Sequence, residues 1–163
     1  MSAFDTYLHA VIVRATDEAR EDGSATFGAH HLLLSLAADH GSAAQQVLAS
    51  AGLDRAAVRA ALDREFEHSL SVVGVDPAAY GPLRPGRTAQ QPRMGASARL
   101  ALERSFASAR KKDLRSAHLL LGILEAQAGT VPRALALAGI DPAALADRVR
   151  QTLTSRIGDT GIS

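Results

Sequence analysis

Two histidines, His31 and His118, each open the tetrapeptide His-Leu-Leu-Leu, and His30 adds a further imidazole beside the first. Imidazoles can shuttle protons or ligate metals. Helical zinc sites, however, place their histidines one turn apart, as in His-Glu-x-x-His, whereas adjacent residues point about 100° apart. His30 and His31 are therefore not expected to share an ion. His31 and His118 each fall in the first turn of an apolar helix, where an imidazole can satisfy a nearby carbonyl or carboxylate, so a structural role is expected. The run Arg110-Lys111-Lys112-Asp113-Leu114-Arg115 could hold phosphate, nucleic acid or an acidic partner, but cations at a helix end also complement the dipole. Glu65 and Glu67 read as a polar helix end, and no Gly-x-Ser-x-Gly elbow frames a serine. With no cysteine in the chain, thiol nucleophiles, disulfides and cysteine-ligated metals are excluded. No enzyme, cofactor or metal is expected.

The elements that position these residues follow from a duplication. A shift of 87 residues sets 31–62 on 118–149 without a gap, and eleven of the 32 positions are identical, among them Leu48/Leu135, Ala51/Ala138 and Gly52/Gly139. Each copy reads as four helices. The first spans about 4–22 or 96–111, and the second carries His-Leu-Leu-Leu, with Ser116 expected to cap the second copy and Ala29 unable to cap the first. The third starts near Ser42 or at Thr130-Val131-Pro132 and stops at Gly52 or Gly139, where glycine permits a left-handed turn. The fourth follows Asp54 or Asp141-Pro142, carboxylates suited to orphan N–H groups. Hydrophobic residues make up 47% of the 163, aromatics only 4% and tryptophan none, so the core is leucine, alanine and valine, and the fold class is all-α.

The chain is parsed as one domain over 1–163: a first four-helix repeat at 1–70, a Pro/Gly-rich linker at 71–93, a second repeat at 94–154 and a flexible tail at 155–163. Pro77, Pro82, Pro85 and Pro92 in the linker forbid a continuous helix. Net charge is +1 overall, but residues 1–70 carry −5 and 71–163 carry +6. A basic half could mark a nucleic-acid face, although no aromatic residues interleave for stacking. With no apolar start or spanning segment, a cytoplasmic location and no membrane contact are expected.

The doubled pattern, Phe4 followed by Glu18-Ala19-Arg20, then His31-Leu32-Leu33-Leu34, then Leu48-x₃-Gly52-Leu53-Asp54, with His118–Gly122, Leu135 and Gly139 in the second copy, resembles the N-terminal domain of Clp-type AAA+ unfoldases. The resemblance spans nearly the whole chain. It implies two pseudo-symmetric helical bundles that receive substrates and adaptors without catalysis. No Gly-x₄-Gly-Lys-[Ser/Thr] loop is present, so a freestanding N-domain is expected, acting as adaptor, competitor or sequestering protein in Clp-dependent proteolysis, among chaperone-associated functions. The family's Gly-Thr-Glu-His signature, whose glutamate receives a phosphoarginine guanidinium, is replaced by Gly28-Ala29-His30-His31 and Arg115-Ser116-Ala117-His118. His30 and Ala117 stand at the glutamate positions, so the usual paired contact is not expected, while Arg115 could meet an anion. The resemblance also implies a peptide groove, used in some relatives by cyclic-peptide antibiotics, at Met1, His9, Val13, Thr16, Met94, Arg99 and Glu103. Partners are accordingly a Clp-type unfoldase, its substrates or adaptors, or a cyclic peptide. The alternatives are a small helical metal-dependent hydrolase and a nucleic-acid accessory protein.

Overall fold

The computed structural model describes residues 2–74 and 90–158, with side chains as far as Ser155. Met1, most of the stretch read as linker (75–89) and residues 159–163 lie outside the described residues. Among the described residues eight α-helices run in two sets of four: α1 (Ala3–Glu21), α2 (Ala29–Ala37), α3 (Ala43–Ser50) and α4 (Arg55–Val72), then α5 (Ala96–Ala107), α6 (Ser116–Leu124), α7 (Thr130–Leu137) and α8 (Pro142–Gly158). The fold class is all-α. The helical ends extend the sequence reading at two places, since α4 continues two residues into the stretch read as linker and α8 passes Ser155 to reach Gly158. In the other direction α5 stops at Ala107, and Lys111–Asp113 form a separate 3₁₀ turn.

One feature lies outside any helical reading. Thr26–Phe27 (β1) and Arg93–Met94 (β2) form a two-residue parallel pair, extended by Arg93 N–H to Ala25 O (3.0 Å) and Gly95 N–H to Phe27 O (2.9 Å). Two residues per strand are too few for a hydrophobic period to register. The pair seats the chain entering α5 beside the chain entering α2.

The helix ends follow their sequence chemistry where the partner is local. Ser2, Ser42 and Asp54 accept from the backbone N–H groups of Asp5, Gln45 and Ala57, and Asp141 accepts from Ala143. Gly52 and Gly139 both take φ of 77°. Each left-handed residue lets the next N–H close on a carbonyl five residues back, Leu53 on Leu48 and Ile140 on Leu135, both at 2.8 Å.

Two caps differ from expectation. Thr130 lies inside α7, whose cap position is Gly129 at φ 115°. Ser116 is the first residue of α6 and does not cap it; its hydroxyl accepts from Ala44 N–H at the start of α3, in the other repeat (3.1 Å). Reciprocally, Ala29 cannot cap α2, and Ser97 of α5 supplies a hydroxyl to its N–H (2.9 Å). The bond from Ser97 stands in for a local cap on α2, and that from Ser116 adds to the Ser42 cap on α3.

The repeats share one core. Helices α2 and α6 are buried along nearly their whole length, with Leu34 and Leu120 fully enclosed, and they pack on each other. Around them α3 lies on α6 and α8, and α7 lies on α2 and α4, a reciprocal arrangement that merges both halves into a single hydrophobic cluster. Burying each leucine contributes roughly 1.5–3 kcal/mol.

Candidate functional site

The starts of α2 and α6 are built alike. His31, third in α2, turns Nδ1 back to accept from Gly28 N–H (2.9 Å), and His118 does the same for Arg115 N–H (3.0 Å). Each imidazole thus satisfies the N-cap backbone N–H that glutamate or glutamine at the third helical position commonly takes. Because Nδ1 accepts, the ring proton sits on Nε2. In the first repeat that proton is donated to Asp22 Oδ2 at 2.8 Å. His31 has the carboxylate partner expected of a structural histidine, and both imidazoles in addition accept from a backbone N–H.

Asp22 belongs to a buried acid–base network. Glu18, only 6% exposed, is clasped by Arg55 through two nitrogens (2.7 and 2.9 Å) and by Arg59 (3.0 Å). Arg59 also approaches Asp22 at 3.7 Å. The Glu18 carboxylate holds the Arg55 guanidinium above its ordinary pKa, against the opposing effect of burial. A fork-to-carboxylate contact of this kind is geometrically specific. It locks the α1–β1 connection against α4.

Two clefts flank the helix starts. The first, about 250 Å³, is bounded by Ala29 and His30 of α2, by Ser97, Leu100 and Arg104 of α5, and by residues 126–132, the turn before α7 with that helix's first residues. The second, about 450 Å³, is bounded by Phe4 and Tyr7 of α1, the Gly41–Ala43 turn, and Lys112, Arg115 and Ser116. They correspond under the repeat: Ala29 matches Ser116, residues 126–132 match the turn before α3 with that helix's first residues, and α5 takes the place of α1. The first is mainly apolar and exposes Leu100; the second is basic. Tyr7 donates to Asp39 at 2.7 Å, and burial together with that carboxylate pushes its hydroxyl well above the usual tyrosine range.

The residues at the two signature positions differ in access. His30 is half-buried at the rim of the first cleft. Ala117 is 1% exposed and presents only a methyl group to the core. Arg115 is exposed and lines the second cleft.

The expected peptide-groove residues are spread over α1, β2 and α5. His9 and Val13 are exposed on α1, and Arg99 and Glu103 are exposed on α5. Met94 packs half-buried against the core. Thr16 is buried, its hydroxyl donating to Ile12 O at 2.8 Å, so it presents no hydroxyl to a ligand. Met1 lies outside the described residues. The described clefts are lined by other residues, notably Ser97, Leu100 and residues 126–132. Sequence reasoning missed these because the two repeats had to be packed together before they met.

Among the described residues no three histidine or carboxylate side chains converge as metal ligands, and no helix is long and apolar enough to cross a membrane. No curated protein matches the chain. The family model of the Clp repeat (R) N-terminal domain matches residues 3–91, from the first residue of α1 to just short of β2. Domains of this family are non-catalytic modules of protein interaction. With the match covering more than half of a chain whose helices recur as two interlocked sets, the protein belongs to the Clp repeat (R) N-terminal domain family.

Proposed function

We propose that this chain is a non-catalytic protein- or peptide-binding module that serves Clp-dependent proteolysis as an adaptor, competitor or sequestering protein. The observation that carries the reading is the pair of repeat-related clefts at the starts of α2 and α6, one apolar around Leu100 and one basic around Lys112 and Arg115. An extended polypeptide offers both apolar side chains and polar groups to such surfaces. Phosphoarginine is not the ligand by the route of the glutamate signature. Ala117 has no group to pair with a guanidinium, and a protonated His30 repels one. A cyclic peptide, which the family resemblance suggests as a further ligand, would use a separate surface at His9, Val13, Met94, Arg99 and Glu103.

Calorimetric and thermal-shift titrations test this with four ligands in parallel: an unfolded polypeptide, the same polypeptide phosphorylated on arginine, free phosphoarginine and a cyclic antibiotic peptide. A ligand selective for the folded protein raises its apparent stability. The expected result is binding of both polypeptides with similar affinity, no binding of free phosphoarginine, and loss of polypeptide binding in Leu100→Asp. A polypeptide that fails to bind, or one that binds only when phosphorylated, would overturn the reading.

A further inference from the structure

The repeats part company behind their second helices. In the first, His31 Nε2–H faces the Asp22 carboxylate, and Glu18, Arg55 and Arg59 fill the space around it. Arg14 of α1 and Arg104 of α5 each donate to the matching carbonyl of the next helix, Ser35 O and Gly122 O. That correspondence places Ser108 where Glu18 stands. The 87-residue shift likewise places Pro142 and Ala146 where Arg55 and Arg59 stand. The second repeat has therefore lost the network, and a cleft of about 690 Å³ occupies its place.

What remains in that cleft is cationic. Arg110, Arg115 and Arg150 line it against one acidic residue, Asp113. Arg150 is engaged by Asp147 and Glu125, but Arg110 and Arg115 have no hydrogen-bond or ion-pair partner among the described residues. His118 lines the same cleft and is 8% exposed. Its Nδ1 is taken by Arg115 N–H, so Nε2 carries the proton, and that donor has no partner among the described residues. An unpaired N–H that opens onto the cleft from a largely buried imidazole, in a wall shared with two unpaired guanidinium groups, is a site for an oxyanion.

The geometry points to an oxyanion-binding site at His118, Arg110 and Arg115 that takes a carboxylate from an acidic protein segment, in the role that Asp22 plays internally toward His31. The internal precedent favours a carboxylate, and Leu121 and Leu153 in the wall suit an apolar residue beside the acidic one. The protein-binding reading supplies only the source of the carboxylate; the oxyanion chemistry stands on the cleft itself.

The test is an NMR titration of the ¹⁵N-labelled full chain at neutral pH with three probes: a blocked peptide carrying aspartate between leucines, its asparagine counterpart, and inorganic phosphate. The expected result is a saturable shift of the His118 Nε2–H signal with the aspartate peptide only, weakened roughly tenfold in Arg110→Gln and in Arg115→Gln. Both arginines are exposed, so neither substitution threatens the core. Equal shifts with the asparagine peptide, shifts that persist in the Arg110→Gln/Arg115→Gln double variant, a response to phosphate alone, or no response at His118 would each overturn the proposal. Arg110 does not line the helix-start clefts. Polypeptide binding that survives Arg110→Gln but is lost in Leu100→Asp would thus separate a failure here from a failure of the protein-binding reading.

Discussion

At the scale of single residues, the two copies solve one problem with hydroxyls from opposite helices. In the first repeat Ser35 of α2 donates to Val11 O of α1; in the second Ser105 of α5 donates to Ala101 O, the carbonyl matching Val11. The residue matching Ser35 is Gly122, where an added Cβ would overlap both Ser105 Oγ and Ala101 O. Gly122→Ala is expected to destabilise by roughly 2–3 kcal/mol, as overpacking does. Adding Ser105→Ala recovers only part of this, because the Ala101 carbonyl remains; full recovery in a denaturant-melt cycle would refute the account. His118 sets a pH dependence. Burial, then the nearby Arg115, holds its pKa below the usual 6.5, with Asp113 opposing. The unfolded chain therefore takes up this proton first as pH falls. His118's contribution is complete above about 6.5 and is lost as pH drops from there through the lower folded pKa. Melting temperature against pH should fall over that window, and the fall should shrink in His118→Gln.

The starts of α2 and α3 each take a hydroxyl from the other repeat. Removing the Ser97 hydroxyl leaves Ala29 N–H at the first cleft without its acceptor, so Ser97→Ala should lower stability by about 1 kcal/mol, read by chemical denaturation, with accelerated amide exchange at Ala29. Ser116→Ala should do the same at Ala44. These bonds mark the limit of what was legible beforehand. The eight helices, the two glycine stops and the aspartate starts could be read because each depends on residues within a few positions of one another. Ser116 and Thr130 were assigned as local caps because sequence reveals the hydroxyl and hides its partner. The β1–β2 pair was too short to leave a period. The candidate site was legible in part: His30, Ala117 and Arg115 could be placed at helix starts, whereas Ser97, Leu100 and residues 126–132 reach the first cleft only through packing between repeats. The buried Glu18 network gave no signal either, since its arginines lie a helix–turn–helix away along the chain.

For the molecule as a whole, the unequal charge of the halves has a use within the fold. Asp5 pairs with Lys111 at 3.2 Å and Glu65 with Arg133 at 2.9 Å, the acid coming from the first half and the base from the second in both. The basic half that could have suggested nucleic acid thus faces, at these points, its own acidic counterpart. With α2 against α6, α4 against α7 and α3 against α8, neither 1–74 nor 90–163 is expected to fold when produced alone. The intact chain should melt in one transition that Leu34→Ala and Leu120→Ala each lower by about 2–5 kcal/mol. Two separable transitions, or a half that folds by itself, would contradict this. The hydroxyl that sits on α2 in one copy and on α5 in the other also governs how such a duplicated chain can change over time. A recombination event that copied α2 over α6 would carry Ser35 into the space held by Ser105 and the Ala101 carbonyl, whereas copying α1 and α2 together would bring a compatible pair. The unit in which these repeats remain exchangeable is the helix pair, and the ancestral symmetry survives only at that grain.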